Sequence, residues 1–204
     1  RPRTRDDFWS FWLPVTYQHQ SEYVNAQRFI RSILVTDEET KNNDFSMEER
    51  TQIMGGYFLT GRTDERNFIN PTGSGRNGKT TLFGIFQAML GPLYCVAHQD
   101  LFMKRRQTSG GAAEPHKAML RGKRLAVLAE TNNDDVIDQE VKQLIDENPY
   151  VTARDLHMKG EDSTFKVYAK LVVCSNPPLK FHVDGHDASM PERLKVIKFP
   201  FKFV

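Results

Sequence analysis

Eight consecutive residues, Gly73-Ser-Gly-Arg-Asn-Gly-Lys-Thr80, fit the pattern G-x-x-x-x-G-K-[ST] of a phosphate-binding loop. Glycines at these positions let successive backbone N–H groups point inward at phosphate oxygens. Lys79 supplies a positive charge for the β- and γ-phosphates, and the Thr80 hydroxyl suits Mg²⁺. The stretch therefore predicts a site for ATP and Mg²⁺, formed by Gly73, Ser74, Gly75, Arg76, Asn77, Gly78, Lys79, Thr80 and Thr81.

The residues on either side of the loop fit the strand–loop–helix setting that such a loop requires. Residues 67–70 are predicted to form a short strand, and residues 81–90 a helix that Gly91-Pro92 ends. The amino end of that helix would add the positive end of its dipole to the phosphate site. A glycine-rich turn that arose by chance would not need this setting, so we favour the phosphate loop.

Two further apolar runs end in polar side chains that suit the same chemistry. Residues 124–129 are a predicted buried strand that ends at Glu130, a carboxylate able to hold Mg²⁺ through water or to orient an attacking water. Residues 170–175 are a second such strand, followed by Asn176, whose amide can sense a γ-phosphate. Each has a plain structural alternative, because apolar strands often end in an acid and Asn is favoured in turns. Combined with the loop, they predict Lys79, Glu130 and Asn176 as catalytic residues and Thr80 and Glu130 as the Mg²⁺ site.

The other elements divide the chain into a helical part and an alternating part. Apolar residues with helical spacing predict a helix over 21–35 capped by Ser21, a polar loop at 37–44, and a helix that starts at a Ser46–Glu49 capping box. Strand and helix patterns then alternate, with strands at 93–96 and 193–199, helices at 114–120 and 135–147, a hairpin at 150–156 and 164–168, and a loop at 177–191. This alternation predicts an α/β fold of the P-loop NTPase class, AAA+-like, with a mainly parallel central sheet. We assign residues 1–62 to a helical amino-terminal region and 63–204 to the ATPase core.

Composition narrows the class of protein further. The net charge is only +2, yet residues 101–124 carry seven basic residues against one acidic residue, and residues 130–147 carry seven acidic against one basic. Such a dipolar surface suits a subunit that contacts a neighbour or a polyanion, although two solvated faces would give the same pattern. Cys95 and Cys174 lie in apolar runs, which indicates two buried thiols rather than a disulfide framework. The absence of an initiator Met and the abrupt end at Val204 suggest a fragment of a longer protein, and no secretory or membrane segment is evident.

The motifs in this order resemble the superfamily 3 helicase domain. The order is Gly-x-Gly-x-Asn-Gly-Lys-Thr, a strand ending in Glu, a strand ending in Asn, and then Arg-Leu before a last strand. The Gly56–Gly61 stretch, the Leu120–Leu125 stretch and the segment from Val141 to Arg154 are similar to parts of the same domain in primase-helicases of nucleocytoplasmic large DNA viruses, and of phages and plasmids. Two departures stand out: Asp146-Glu147-Asn148 replaces a glycine-rich turn, and Glu192-Arg193 replaces an Arg pair.

The resemblance implies an ATP-dependent DNA helicase motor of viral replication. It implies a homo-oligomeric ring, expected to be a hexamer, with ATP at each subunit boundary and Arg193 acting on the neighbour's phosphates. It also implies a pore hairpin around His157 and Lys159 that contacts single-stranded or forked DNA, with Lys104 and Arg105 as further DNA contacts or subunit contacts. Polymerase or accessory factors are expected partners, without a membrane. The expected place of work is the host cytoplasm, or the bacterial cytoplasm for a phage-borne protein, and not the outside of the cell.

Several alternatives stay open at this point. Another P-loop enzyme, such as a DNA-packaging motor or a kinase, would share the loop, and a non-catalytic module could use nucleotide only to assemble. Arg154 suits either a catalytic role or a salt bridge at the hairpin base. The His182, Asp184, His186 and Asp187 group matches no zinc spacing and is expected to be a solvated loop. The aromatic residues at 8–12 are expected in the core or at a subunit interface.

Overall fold

The computed structural model describes residues 13–16, 18, 23–42, 46–102, 115–131, 136–137, 141–153, 163–176, 178–181 and 189–203. Within these ranges no helix combines the length and the apolar character that crossing a bilayer requires. The basic loop after Lys104, the predicted pore-hairpin tip and the His182–Asp187 loop lie outside them, as do the aromatic residues at 8–12.

Three helices precede the sheet: α1 (Val24–Leu34), α2 (Asp37–Lys41) and α3 (Ser46–Leu59). The predicted cap of α1 at Ser21 is wrong, because the cap residue is Tyr23, which makes no side-chain capping bond. The predicted loop at 37–44 is partly helical, since Thr36 and Glu39 form a reciprocal capping box that starts α2. An ion pair between Arg31 and Glu48 joins α1 to α3.

The rest of the described chain alternates strands with short helices. The strands are β1 (Phe68–Thr72), β2 (Tyr94–Val96), β3 (Leu125–Leu128), β4 (Val136–Ile137), β5 (Tyr150–Ala153), β6 (Ser163–Lys166), β7 (Lys170–Val173), β8 (Lys180–Phe181) and β9 (Leu194–Lys198). The helices among them are α4 (Lys79–Leu90), α5 (Pro115–Ala118), α6 (Val141–Leu144) and α7 (Ser189–Glu192), with short 3₁₀ turns at Gly91–Leu93 and Gln99–Leu101.

Five strands form the central sheet in the order β2-β3-β7-β1-β9, and every pairing in it is parallel. The strand that leads to Asn176 therefore lies between the strand that leads to the phosphate loop and the strand that leads to Glu130. Parallel strands present their carboxyl ends at one edge of the sheet, so this order brings the three predicted catalytic positions to the same edge. The predicted fold class, α/β with a mainly parallel sheet behind a helical region, is confirmed.

Both faces of the sheet are covered, because alternate residues of each central strand enter different cores. On β3, Leu125 and Val127 pack with α1, α3 and α4. Ala126 and Leu128 belong instead to a core on the other face, with residues of β5 and of the segment between β6 and β7. The first core also contains Ile33, Leu34, Met54 and Phe58 of the helical region, all buried. Continuous apolar runs are the expected sequence of strands buried on both faces. The helical region thus shares its core with the sheet, and the domain boundary at residue 62 stays a prediction.

Two segments differ from expectation. The predicted helix over 135–147 is wrong at Val136–Ile137, where β4 pairs in parallel with β8, and within the described part of this range α6 is the helix. The predicted loop at 177–191 contains β8 and α7. Strands this short have little local signal, and their partners lie far away in sequence. The predicted hairpin is confirmed at its base, where β5 and β6 pair antiparallel with Tyr150 opposite Lys166.

Candidate functional site

The glycine-rich loop lies between the carboxyl end of β1 at Thr72 and the start of α4 at Lys79. Its backbone turns through left-handed conformations at Gly75, Arg76 and Gly78, with φ values of 84°, 48° and 87°. Gly78 is the cap residue of α4. Because glycine has no side chain, it makes no capping bond to the first N–H groups of the helix, which remain directed towards the loop. The predicted strand–loop–helix setting is confirmed.

Close packing explains two of the glycines. A β-carbon at Gly78 would lie 2.6 Å from Cγ2 of Ile33, because α1 packs directly on the loop. A β-carbon at Gly73 would overlap the Asn77 side chain and lie 2.7 Å from the carbonyl oxygen of Phe199. Helix α1 and the segment after β9 therefore hold the loop from outside.

The segment after β9 is hydrogen-bonded to the loop at two points. The Phe199 N–H donates to the Thr72 carbonyl at 2.8 Å, and the Phe203 N–H donates to the Arg76 carbonyl at 2.7 Å. These bonds lie at the start and the middle of the loop. They fix its course without using the N–H groups that would face a phosphate.

Lys79 is oriented by two acceptors. Its Nζ donates to the Gly73 carbonyl at 2.8 Å and to Oδ1 of Asn176 at 3.2 Å. Lys79 is only 8% exposed, and this burial lowers its pKa, while the nearby Glu130 carboxylate acts in the opposite direction. The ammonium is thus held at the loop with incomplete charge compensation, which favours an incoming anion.

A cavity of about 360 Å³ opens at this point. It brings together the loop from Gly75 to Thr81 and the ends of two strands, through Ala129 and Glu130 after β3 and through Cys174, Ser175 and Asn176 after β7. Lys79, Thr80, Glu130 and Asn176, predicted from separate motifs, therefore line one space. Ser74 is exposed on the same loop, and Asn77 is buried with its Nδ2 lacking a hydrogen-bond partner among the described residues.

A buried polar group beneath the cavity was not predicted. Nδ2 of Asn70, in β1, donates to the Val173 carbonyl at 2.6 Å and to Oγ of Ser175 at 2.9 Å. The Ser175 N–H donates to the Pro71 carbonyl, and the Gly73 N–H donates to the Ser175 carbonyl. These bonds join the start of the loop to the segment that carries Asn176. The available signal for this polar group was Asn70 itself, a polar residue that directly follows the apolar Phe68 and Ile69 in the predicted strand.

The two cysteines are unpaired, as predicted. Burial raises the pKa of the Cys95 thiol to about 11 and that of the Cys174 thiol to about 12. Both groups are therefore protonated at neutral pH, and neither is a nucleophile or a metal ligand as it stands.

Arg193 lies at the other end of the sheet from the loop. Its carbonyl accepts from the Phe68 N–H at 3.1 Å, and Phe68 begins β1 whereas Thr72 ends it. About 13 Å of strand separates these two positions, at roughly 3.3 Å per residue. Nη1 of Arg193 is buried and has no hydrogen-bond partner among the residues that the structure describes.

The predicted DNA contacts cannot be compared with the fold. Lys104, Arg105, His157 and Lys159 lie outside the described residues, as does Arg154. Their roles stay predictions. Asp146 and Glu147, where the sequence departs from the glycine-rich turn, instead pair with Arg66, with the Glu147 contact at 2.7 Å.

Comparison with known proteins supports the pattern of motifs. The chain is 32% identical over 137 residues to "Putative helicase 022R" of Frog virus 3, covering 65% of this chain and 14% of that protein. It is 31% identical over 162 residues to "Putative helicase L207/L206" of Acanthamoeba polyphaga mimivirus, covering 79% and 16%. It is 31% identical over 135 residues to "Putative primase C962R" of African swine fever virus, covering 64% and 13%. The chain thus spans less than a fifth of each of these relatives.

Among solved structures, the apo form of the NrS-1 C-terminal region (305–718) has the same fold. It aligns with a TM-score of 0.59 over 85% of this chain and 37% of that one, at 13% identity. The viral relatives confirm the resemblance to helicase and primase proteins of large DNA viruses. A family described as "Family of unknown function (DUF5906)" matches residues 72–193, from the end of β1 through the loop, Glu130 and Asn176 to Arg193. The chain belongs to this DUF5906 family.

Proposed function

We propose that this chain is the ATPase motor of a viral DNA helicase, which hydrolyses ATP between the subunits of a homo-oligomeric ring and moves along single-stranded or forked DNA. One observation carries the proposal: Lys79, Thr80, Glu130 and Asn176 line a single cavity at the carboxyl edge of a parallel sheet. The helicase and primase names of the viral relatives support the choice of DNA as the polymer. The proposed place of work is the host cytoplasm, or the bacterial cytoplasm for a phage-borne relative.

Each residue then has a defined task. The loop N–H groups and the Lys79 ammonium bind the phosphates, and neutralise charge on the group being transferred. Asn176 already accepts from Lys79 at 3.2 Å, so a γ-phosphate that attracts the lysine would release the amide to report its presence. Glu130 is exposed beside the cavity, where its carboxylate can accept a proton from the attacking water.

The donor set around the loop fits Mg²⁺. This ion typically uses one or two protein oxygens together with water and phosphate oxygens. The Thr80 hydroxyl and the Glu130 carboxylate both line the cavity and are of this kind. Mg²⁺ bound there would supply positive charge to the phosphate oxygens.

We further propose that Arg193 acts on the ATP of a neighbouring copy. From the far end of β1 its guanidinium does not reach the phosphate loop of its own chain, given the strand length between them. A guanidinium matches phosphate oxygens with two hydrogen bonds and stays charged at all working pH values.

The first test measures ATP hydrolysis by the purified chain with and without single-stranded DNA. We expect turnover that DNA stimulates, and a loss of at least about a hundredfold in Lys79→Ala and in Glu130→Gln, as for removal of a group that stabilises transition-state charge. Lys41→Ala, which removes an exposed lysine at the end of α2, should leave turnover unchanged. Unchanged turnover in Lys79→Ala would refute the phosphate loop, and a monomer that phosphorylates a small molecule would identify a kinase.

The second test asks whether Arg193 acts between subunits. Lys79→Ala and Arg193→Ala should each be inactive alone. When the two are mixed, some boundaries join an intact loop to an intact arginine, so turnover should return. A mixture that stays inactive while still assembling would assign Arg193 to its own chain.

A further inference from the structure

We propose that a second cavity beside the phosphate site receives the base of the bound nucleoside triphosphate, and that it holds the base by stacking and apolar contact with little selectivity among bases. This inference rests on the proposed function, because it assumes that the loop binds a nucleotide. It adds the residues that contact the base and the range of nucleotides that the site accepts.

The second cavity measures about 450 Å³, and three separate parts of the chain form it. Phe29 and Ile33 come from α1, Gly78 and Thr81 come from the phosphate loop and the start of α4, and Phe203 comes from the segment after β9. This volume lies within the range of about 300 to 1,000 Å³ that is common for small-molecule sites.

The two cavities adjoin each other. Arg76, Gly78 and Thr81 line both of them. A molecule whose phosphates lie against the loop can therefore extend past Gly78 into the second cavity. In a nucleoside triphosphate, a sugar and a flat base with apolar faces follow the phosphates. We therefore expect the sugar and the base to occupy the second cavity.

The lining is held in place before any ligand binds. The Phe203 N–H donates to the Arg76 carbonyl at 2.7 Å, which fixes the terminal segment against the loop. Ile33 touches Gly78 closely enough to exclude a β-carbon there, and the Arg31–Glu48 ion pair holds α1 against α3. A site whose walls are already ordered loses less entropy when it binds a ligand.

The chemistry of the lining predicts weak selectivity. Two phenyl rings and an isoleucine offer surface to any base, since every base has a π-face for stacking. The Ser32 hydroxyl, which also lines the cavity, donates to the Phe29 carbonyl at 2.7 Å. Among the described residues the lining includes no carboxylate or amide side chain. Its other polar side chains, Arg76 and Thr81, also line the phosphate cavity.

The test compares nucleotides with inorganic tripolyphosphate, which carries the phosphates without a base. Dissociation constants are measured for ATP, GTP, CTP, UTP and tripolyphosphate. Phe29→Ala and Phe203→Ala should each weaken ATP binding about tenfold, the order expected for losing one aromatic stacking partner, and should leave tripolyphosphate affinity unchanged. Phe201→Ala, which removes a phenyl ring of the same segment that does not line the cavity, serves as the matched control. Phe29→Leu and Phe203→Leu, which keep apolar volume, provide a second pair if an alanine variant unfolds.

We expect the four nucleotides to differ by less than about a hundredfold in affinity, the limit typical of apolar discrimination. A larger preference for one base would overturn the proposal. Equal affinity of the parent for ATP and tripolyphosphate, or an equal loss of both in the Phe variants, would also overturn it while leaving the phosphate loop intact. If neither tripolyphosphate nor any nucleotide binds, the proposed function fails together with the base site.

Discussion

Two buried lysines at opposite ends of the central sheet make a useful comparison. Lys79, after the carboxyl end of β1, is 8% exposed, and Lys170, at the amino end of β7, is 5% exposed. Each ammonium donates to a backbone carbonyl, that of Gly73 for Lys79 and that of Thr60 for Lys170. Burial lowers the pKa of both. By these properties alone the two residues are nearly alike.

They differ in what surrounds the ammonium. Lys79 borders an open cavity lined by backbone and polar groups, whereas Lys170 lies 4.6 Å from the centre of the Tyr57 ring and joins β7 to the end of α3. Lys79 therefore has room for an anion, and Lys170 is enclosed by its own fold. A lowered pKa marks burial, and the space beside the group decides between a binding role and a structural one.

The largest effect should come from exchanging the two lysines for methionine in turn. Lys79→Met should reduce ATP turnover by at least about a hundredfold, because the charge at the phosphates is lost. Lys170→Met should keep the turnover of each folded molecule, since it removes a contact at the far end of the sheet. Steady-state hydrolysis, normalised to the folded fraction from circular dichroism, checks both. Equal losses would mean that the two ends of the sheet are not functionally distinct.

The pH dependence of stability should separate Lys170 from the other buried groups. Its pKa falls from 10.5 to about 8 in the folded protein, so between these pH values the unfolded chain holds more protons and stability rises with pH. The full gain is about 3 kcal/mol at 1.36 kcal/mol per pKa unit. Cys95, Cys174 and Tyr94 have raised pKa values and act in the opposite direction above pH 9.

Urea unfolding of the parent and of Lys170→Met across this pH range isolates the lysine, because the opposing groups are common to both proteins. We expect the stability of the parent relative to the variant to increase as pH rises. A difference that stays constant with pH would show that Lys170 keeps its ordinary pKa.

At the loop end of the sheet, Asn70→Ala should reduce the free energy of unfolding by about 1–3 kcal/mol, because the variant leaves a buried carbonyl and the Ser175 hydroxyl without their donor. ATP turnover should also fall, since Asn70 positions the segment that carries Asn176. Asn67→Ala, just before β1 and only partly buried, is the control. Loss of stability with full turnover would limit Asn70 to a structural role.

The smallest effects should distinguish the cap glycine of α4, Gly78, from a glycine inside that helix, Gly84. Gly78→Ala places a methyl group against Ile33 and requires a left-handed backbone, which costs about 1–2 kcal/mol from the backbone alone. Gly84→Ala, in the exposed part of α4 with open space around it, should instead stabilise by about 0.5–1 kcal/mol. Chemical unfolding of both variants measures the opposite signs. Two destabilising results would contradict the open space at Gly84.

The parts of the site that the sequence predicted are those whose signals are local. The phosphate loop has fixed offsets between its residues, and Glu130 and Asn176 each follow a continuous apolar strand. Parallel pairing then brings the strand ends together without further information. For this reason the cavity could be anticipated from three short stretches.

The parts that were missed depend on distant partners. Asn70 finds its acceptors in and just after β7, and β4 pairs with β8 so that Val136 lies opposite Lys180. No periodicity within 135–147 distinguishes that pairing from a helix. The cavity at Phe29 and Phe203 joins the two ends of the described chain, which no local pattern relates. Helix α2 was missed for a different reason, since its capping box lies in a stretch without apolar periodicity.

The pairing of β9 has a consequence for the proposed ring. This strand runs beside β1 in register from Leu194 opposite Phe68 to Lys198 opposite Thr72. Arg193 precedes its first residue, and the segment that braces the phosphate loop follows its last one. In an assembly where Arg193 reaches the adjoining copy, one straight piece of backbone would span two nucleotide sites. A shift of β9 during hydrolysis at one subunit boundary would then move the phosphate loop at the next boundary. Such coupling would give sequential ATP hydrolysis around the ring a mechanical basis.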